Sequence, residues 1–153
     1  MLGVCNMFLA EKCTTGEIEY ELKAIEYYSK VINCYPKNVD KKMLIDLAFA
    51  YGYIKDYDNA ILINKKIIEI DDEDSDAYFH LAELYDVQGD SDKALTFAIK
   101  AIEISDQSWD YYFRLSLIYR NLSNFEESIN ALKKAIELKS DYFEAYCIFI
   151  VVL

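Results

Sequence analysis

The side chains of this sequence that could act as nucleophiles, general bases or metal ligands are few and scattered. His80 is the only histidine, and Cys5, Cys13, Cys34 and Cys147 form no Cys-x-x-Cys pair. A zinc site needs thiolates or imidazoles clustered at short spacing, and a catalytic triad needs an oriented base and an oxyanion hole. We therefore predict no metal site and no nucleophilic catalysis, and we interpret His80 as a solvated residue of a helix.

The acidic run Asp71-Asp72-Glu73-Asp74 is the densest group of possible metal ligands. It lacks the glycine and the ligand spacing of a calcium loop, so we interpret it as a solvated turn that caps a helix. The sequence also contains no P-loop, no Gly-x-Gly-x-x-Gly and no His-Glu-x-x-His motif. These observations predict a protein with no cofactor and no enzymatic activity.

Composition narrows the remaining function classes. The 153 residues carry a formal net charge of −11, 54% of them are hydrophobic, and there are only four Gly and one Pro. An acidic chain repels phosphate backbones and anionic membrane surfaces, which argues against nucleic acid and membrane as partners. Dispersed free cysteines suit a reducing compartment. We expect one cytoplasmic domain, residues 1–153, whose acidic charge favours a partner with basic segments.

A 34-residue period runs through the chain. The same or similar residues recur at this step in the series Leu47/Leu81/Leu115, Tyr51/Tyr85/Tyr119, Ala48/Ala82/Ser116 and Ala60/Ala94/Ser128. The period defines three full repeats, residues 41–74, 75–108 and 109–142.

Each repeat is predicted to be a pair of helices, A and B, joined by a short turn. In the middle repeat, apolar residues follow the helical i, i+3, i+4, i+7 spacing on both sides of Gly89-Asp90. Gly89 suits the left-handed conformation that ends a helix, and Asp90 suits the N-cap of the next one, as do Asp56 and Asn124 in the other repeats. The small residues of the series above are expected at the A/B contact, where they let the two helices approach closely.

These residues resemble the tetratricopeptide repeat family, whose pattern is an aromatic residue, Leu-Gly/Ala, Tyr, Ala, an aromatic residue and Pro. The middle repeat matches it with Tyr78, Leu81-Ala82, Tyr85 and Ala94. The closing Pro is replaced by Asp72, Asp106 and Ser140 in the three repeats. The resemblance implies an all-α fold, a right-handed superhelical solenoid of stacked antiparallel helix pairs.

The resemblance extends to both ends of the chain. Upstream, Ala24, Tyr28 and Pro36 match helix B of a degenerate repeat over residues 5–38, whose helix A would lie near residues 5–13. Downstream, residues 143–153 match helix A of a partial repeat, or a terminal helix, with a strongly apolar end. Solenoids normally close with a polar cap, so we expect this helix to expose apolar surface.

By carry-over from the family, helix A residues line a concave, peptide-binding groove. The predicted lining is Lys42, Ile45, Asp46, Phe49 and Tyr53 from the first repeat, Asp76, Phe79, His80, Glu83, Asp86 and Val87 from the second, and Asp110, Phe113, Arg114, Leu117, Arg120 and Asn121 from the third. The three phenylalanines have two possible roles, which the sequence leaves open. They could anchor a bound peptide, or they could pack between neighbouring A helices.

The resemblance implies a scaffold that binds a peptide or protein segment in this groove. A self-association module that uses the apolar C-terminal end, and a regulatory repeat region of a larger multi-domain protein, are the alternatives. One form of the family grips the C-terminal carboxylates of chaperones with two Lys, two Asn and one Arg. The matching positions here hold Ile45, Phe49, His80, Asp110 and Arg114, and since only Arg114 fits, we expect no binding of chaperone tails.

Overall fold

The structure, a computed structural model, describes residues 15–34 and 39–152. Helices are the only regular elements of these residues. They are α1 (Thr15–Cys34), α2 (Lys41–Tyr53), α3 (Tyr57–Ile70), α4 (Ser75–Val87), α5 (Ser91–Ile104), α6 (Trp109–Asn121), α7 (Phe125–Leu138) and α8 (Phe143–Val152). Helices α2, α4 and α6 are the A helices of the three full repeats and α3, α5 and α7 are the B helices. The predicted helix A of residues 5–13 lies outside the described residues.

The chain packs as two compact units, one that ends at Ile63 and one that begins at Asn64, within α3. The first unit contains α1 packed against α2, and the second contains α4 to α8, in which each helix packs against the next. The 34-residue register predicts loops between repeats near 37–40, 71–75, 105–108 and 139–141. The last three are confirmed, because non-helical residues occupy 71–74, 105–108 and 139–142. The 37–40 loop is described only at residues 39 and 40, which are not helical.

The turn from helix A to helix B has the same backbone geometry in all three full repeats. Lys55, Gly89 and Ser123, which occupy the same position in successive repeats, all have a positive φ, of 63°, 82° and 62°. In the middle turn the Gly89 amide donates to the Asp86 carbonyl at 3.0 Å and the Asp90 amide donates to the Tyr85 carbonyl at 2.9 Å. This pair of bonds is a Schellman motif, which satisfies the last carbonyls of helix A. The predicted left-handed conformation of Gly89 is confirmed.

We expect glycine at this turn position to give a more stable fold than a residue with a side chain. A left-handed non-glycine residue costs about 1–2 kcal/mol, whereas glycine costs about 0.5–1 kcal/mol in unfolded-state entropy. Ser123→Gly should therefore raise the free energy of unfolding by about 0.5 kcal/mol, and Gly89→Ala should lower it by about 1 kcal/mol. Because a Cβ at Gly89 would meet no atom within 4 Å, that loss comes from backbone conformation alone. Urea titration measures both changes, and a stabilising Gly89→Ala would contradict the assignment.

Acidic residues cap the helices that follow these turns. The Asp90 carboxylate accepts from the Lys93 amide at 3.3 Å, and Asp56 accepts from the Asn59 amide at 3.3 Å, which confirms two predicted N-caps. The Lys93 ammonium, 2.6 Å from the second carboxylate oxygen, lowers the pKa of Asp90. The third predicted N-cap position is also confirmed, because Asn124 occupies the N-cap of α7 with nearly the same backbone angles as Asp90, although its side chain makes no capping hydrogen bond. Its neutral amide would gain less from the helix amides than a carboxylate does.

Small buried residues lie where helix A meets helix B in the second and third repeats, as the repeat pattern predicts. In the second repeat Ala82 and Ala94 are both fully buried. In the third repeat Ser116 and Ser128 replace them, and the Ser128 hydroxyl donates to the Ser116 carbonyl at 2.8 Å. A side chain of one helix that reaches the backbone of the other shows how closely α6 and α7 approach. Larger residues at these positions would push the helices apart.

We expect Ala94→Leu to destabilise the fold through overpacking. Three additional carbon atoms at a fully buried site force off-rotamer side chains or a helix shift, at a cost of about 1–3 kcal/mol. Thr96→Leu, at an exposed position of the same helix, is the matched control and should change stability by less than about 0.5 kcal/mol. An unchanged urea midpoint for Ala94→Leu would contradict the A/B contact described above.

Candidate functional site

The predicted groove residues of the first unit lie along one side of α2. Lys42 and Phe49 are exposed, Phe49 by 55%, and Tyr53 is 39% exposed, whereas Ile45 and Asp46 are half-buried. The Asp46 carboxylate accepts from the Tyr28 hydroxyl of α1 at 3.1 Å, and that hydrogen bond is the main cause that raises the pKa of Tyr28. This carboxylate therefore ties α2 to the preceding helix.

In the second unit, predicted groove residues of α4 and α6, together with Tyr111, form a ladder of polar contacts between the two A helices. Near the start of the helices, the Tyr111 hydroxyl donates to Asp76 at 2.5 Å. In the middle, the Arg114 guanidinium donates to Glu83 at 2.5 Å. We call these contacts, with the bond described next, the A-helix ladder.

The last rung of the A-helix ladder is a hydrogen bond from the Asn121 amide to Asp86 at 3.0 Å. Both partners of the Glu83–Arg114 rung are about two-thirds buried, so water screens that pair less than an exposed one. All three carboxylates of the second repeat's predicted groove thus bind the third repeat. The family resemblance had implied that these carboxylates face a ligand in the groove.

Phe79 has the packing role rather than the anchoring role. Its side chain is 9% exposed and stacks on Tyr111 of α6, with ring centroids 4.5 Å apart. Phe113 is half-buried and meets the Tyr142 ring edge-on at 4.9 Å. Of the two possibilities that the sequence left open, packing between neighbouring A helices is therefore the one observed for Phe79.

Tyr111 is the residue of this region that sequence reasoning missed. It is 4% exposed, and its hydroxyl lies 3.2 Å from the Ser75 hydroxyl as well as beside Asp76. Burial, followed by the hydrogen bond to Asp76, raises the pKa of Tyr111 far above its ordinary value. The sequence carried only a partial signal, because Tyr111 follows Asp76 by 35 positions, as Asn121 follows Asp86, whereas Arg114 follows Glu83 by 31.

The side chains that remain accessible on α4 and α6 are mixed in character. Val87 is 61% exposed, Asn121 is exposed, and His80, Leu117 and Arg120 are half-buried. The His80 ring lies 6.3 Å from the Phe79 ring. Asp110 accepts a short hydrogen bond from Ser108, at the first turn of α6. We refer to His80, Val87, Leu117, Arg120 and Asn121 as the A-helix face.

The acidic run forms a capping turn, as predicted. The Asp74 carboxylate accepts from the Ala77 amide at 2.8 Å as the N-cap of α4, and the Asp71 carboxylate accepts from the Glu73 amide at 3.3 Å. Among the residues that the structure describes, no group of three His, Cys, Asp or Glu side chains could hold a metal ion. Over the same residues, no helix is both long and apolar enough to cross a lipid bilayer.

Two sequence profiles described as "Tetratricopeptide repeat" match residues 64–96 and 110–142. The second match coincides within one residue with the third repeat defined by the 34-residue period. The chain contains tetratricopeptide repeats. A comparison with curated protein sequences gives no match.

Solved structures of tetratricopeptide-repeat proteins have the same fold. A crystal structure of MamA superposes with a TM-score of 0.80 at 26% identity, over 90% of this chain and 77% of that one. YrrB, "a TPR protein with an unusual peptide-binding site", superposes with a TM-score of 0.76 at 18% identity, over 85% of this chain and 66% of that one. The first TPR of Spaghetti (RPAP3), "bound to HSP90 peptide SRMEEVD", gives 0.71 at 20% identity, over 73% of this chain and 89% of that one. The predicted all-α helical-solenoid class is confirmed.

We expect Tyr111→Phe to remove the hydrogen bond between Tyr111 and Asp76, one contact of the A-helix ladder. Loss of the hydroxyl removes the hydrogen bond to Asp76 and should lower the free energy of unfolding by about 1 kcal/mol at neutral pH. Because the pKa of Tyr111 is raised in the folded state, its contribution is complete below about pH 10 and disappears as pH rises further. The variant should thus lose less stability than the wild type between neutral pH and strongly alkaline pH.

Urea midpoints measured across this pH range test the expectation. Tyr112→Phe is the matched control, because Tyr112 is half-buried on the same helix and its hydroxyl has no hydrogen-bond partner among the described residues. Equal midpoints for the wild type and Tyr111→Phe at neutral pH would show that this rung adds no stability.

Proposed function

We propose that this chain is a protein-interaction module that binds a peptide or protein segment on its A helices, with the A-helix face of α4 and α6 as the centre of the site. The observation that carries the proposal is the A-helix ladder. The Asp76–Tyr111, Glu83–Arg114 and Asp86–Asn121 contacts fix α4 against α6 before any ligand arrives. A preorganised surface loses little conformational entropy on binding, which favours affinity for a flexible segment.

The similar proteins support the same assignment. The RPAP3 repeat carries a bound peptide and YrrB has a peptide-binding site. At 20% and 18% identity to this chain, their likeness establishes the fold alone, and the transfer of peptide binding is part of the proposal. The proposal assigns the chain no catalytic role. A reducing, cytoplasmic location is also part of it, in keeping with the free thiols of Cys34 and Cys147.

The apolar residues of the site and the acidic charge of the whole chain favour a partner with apolar and basic side chains. Val87 and Leu117 offer apolar contact, and the whole chain has a net charge of −11. Because Arg114 is paired with Glu83, Arg120 is the cation of the A-helix face that can meet an acidic group. Affinity should fall as salt rises, since exposed charges are screened beyond about 10 Å at 0.1 M ionic strength.

A random peptide library selected against the full chain tests the proposal, with calorimetry to measure the affinity of the peptide obtained. Val87→Asp places an unpaired carboxylate at the A-helix face and should weaken binding about tenfold. Ile99→Asp is the matched control, because Ile99 is an exposed apolar residue of the B helix α5. It should leave the affinity within about twofold. The opposite order would locate the site on the B helices, and unchanged affinity in both variants would refute the proposed site.

We expect the chaperone peptide SRMEEVD not to bind. Only Arg114 of the five matching positions has the required chemistry, and its guanidinium already donates to Glu83. Asp110 would in addition repel a C-terminal carboxylate. Calorimetry at low salt with this peptide, and with its C-terminal amide as a control, should show no saturable heat for either one. Saturable binding that depends on the free carboxylate would contradict this expectation.

Self-association is a second candidate function, favoured by the exposed apolar residues of α8. Phe143 is 76% exposed and Tyr146 is 41% exposed. If copies of the chain pair through this end, Phe143→Ser should lower the weight-average mass measured by light scattering at high protein concentration. Phe125→Ser, at a 52% exposed position of α7, is the control and should not change it. A concentration-independent monomer mass for the wild type would exclude this candidate.

A further inference from the structure

The turn between α7 and α8 holds an ammonium group against aromatic rings. The Lys139 Nζ lies 4.0 Å from the centroid of the Trp109 ring and 5.3 Å from that of Tyr142. The two rings are 4.4 Å apart and inclined by 59°, and the Phe113 ring meets Tyr142 edge-on. We call Trp109, Tyr142 and Phe113 the aromatic corner.

The helical repeat itself does not require these residues. One period earlier, the positions of Trp109, Tyr142 and Lys139 are Ser75, Ser108 and Ser105. The second repeat therefore forms the equivalent turn of the same fold with serines at these three positions. An aromatic corner with a cation inside it is an addition specific to the third repeat.

The chemistry of the corner is that of cation recognition. Two inclined ring faces within about 6 Å of an ammonium attract it through their quadrupoles, and such corners bind alkylated ammonium groups well. Trp109, Tyr142 and Lys139 are all half-buried, so solvent reaches the site. Lys139 follows the last residue of α7, and its flexible stem lets the ammonium leave the rings without unfolding the helix.

We propose that the aromatic corner is a binding site for an organic ammonium group. In the absence of ligand the Lys139 ammonium occupies this site, and the ligand displaces it. The ligand group is either a small quaternary amine or an alkylated lysine side chain of a protein partner. The site lies at the inter-repeat turn and does not depend on peptide binding at the A-helix face. Removal of the Lys139 side chain should therefore strengthen ammonium binding.

Trp109 provides the readout, because it is the only tryptophan of the chain. Its fluorescence is titrated with choline and with the uncharged isostere 3,3-dimethylbutan-1-ol, at ionic strength held constant with sodium chloride. In Lys139→Ala, choline should bind roughly 2- to 30-fold more tightly than its isostere, the range that a cation–π contribution of about 0.5–2 kcal/mol implies. In the wild type, choline should bind at least about threefold more weakly than in Lys139→Ala, because Lys139 competes.

Three variants and a second ligand complete the test. Lys133→Ala removes an exposed lysine of α7 and should behave as the wild type does. Tyr142→Leu in the Lys139→Ala background should abolish the preference for choline over the isostere. Lys139→Gln keeps the side-chain length without the charge, and replaces Lys139→Ala if the latter fails to fold by circular dichroism. An acetyl-glycyl-trimethyllysyl-glycinamide peptide identifies the source, since tighter binding than choline indicates a protein side chain and weaker binding a small amine.

Equal midpoints for choline and its isostere in both Lys139 variants would overturn the proposal, because the corner would then be only an apolar contact. Equal choline midpoints in the wild type and in these variants would also overturn it, since Lys139 would not be the occupant. In either case Lys139 serves only to hold the α7–α8 turn. These outcomes do not bear on the proposed binding site at the A-helix face. Loss of peptide binding at that face would likewise not change the result of the choline titration.

Discussion

The close approach of helix A and helix B in the second and third repeats is the constraint on which the other contacts depend. The Ser128 hydroxyl reaches the backbone carbonyl of Ser116, and Ala94 is fully buried at the equivalent place in the preceding repeat. Helices this close can be joined by a turn of only a few residues, which the left-handed residue at position 89 provides. The same spacing in consecutive repeats brings α4 and α6 near enough for the A-helix ladder to form. The small side chains at the contact between the A and B helices thus allow the preorganisation of the proposed binding surface on the A helices.

The features that the sequence predicts correctly are those that depend on residues within one repeat. The helical spacing, the loops and the left-handed Gly89 follow from local backbone preferences. The capping role of Asp90 follows from the chemistry of one side chain and the amides next to it. The small residues at the A/B contact are visible because the 34-residue period aligns Ala94 with Ser128. A pattern that repeats identifies a position even where the residue changes.

The features that the sequence does not determine involve one repeat's contact with the next. Register places Phe79 on the inner side of α4, but its burial depends on the distance to Tyr111 of α6, which periodicity does not specify. The pairing of Glu83 with Arg114 has the same origin, because each charge taken alone is as suitable for a ligand as for a neighbouring helix. The contact of Lys139 with Trp109 is an exception within a single repeat, and it was missed because the 34-residue pattern does not specify that a residue near the end of a repeat packs on its first residue.

The binding of a protein segment on the A helices α4 and α6 is the central claim. Nuclear magnetic resonance of the isotopically labelled chain, titrated with a peptide selected for binding, tests it most directly. We predict that the largest shifts of backbone amides occur at His80, Val87, Leu117 and Arg120, while the exposed residues of α5 and α7 stay unchanged. Shifts concentrated on α5 and α7, around Ile99 and Lys134, with α4 and α6 unaffected, would contradict it.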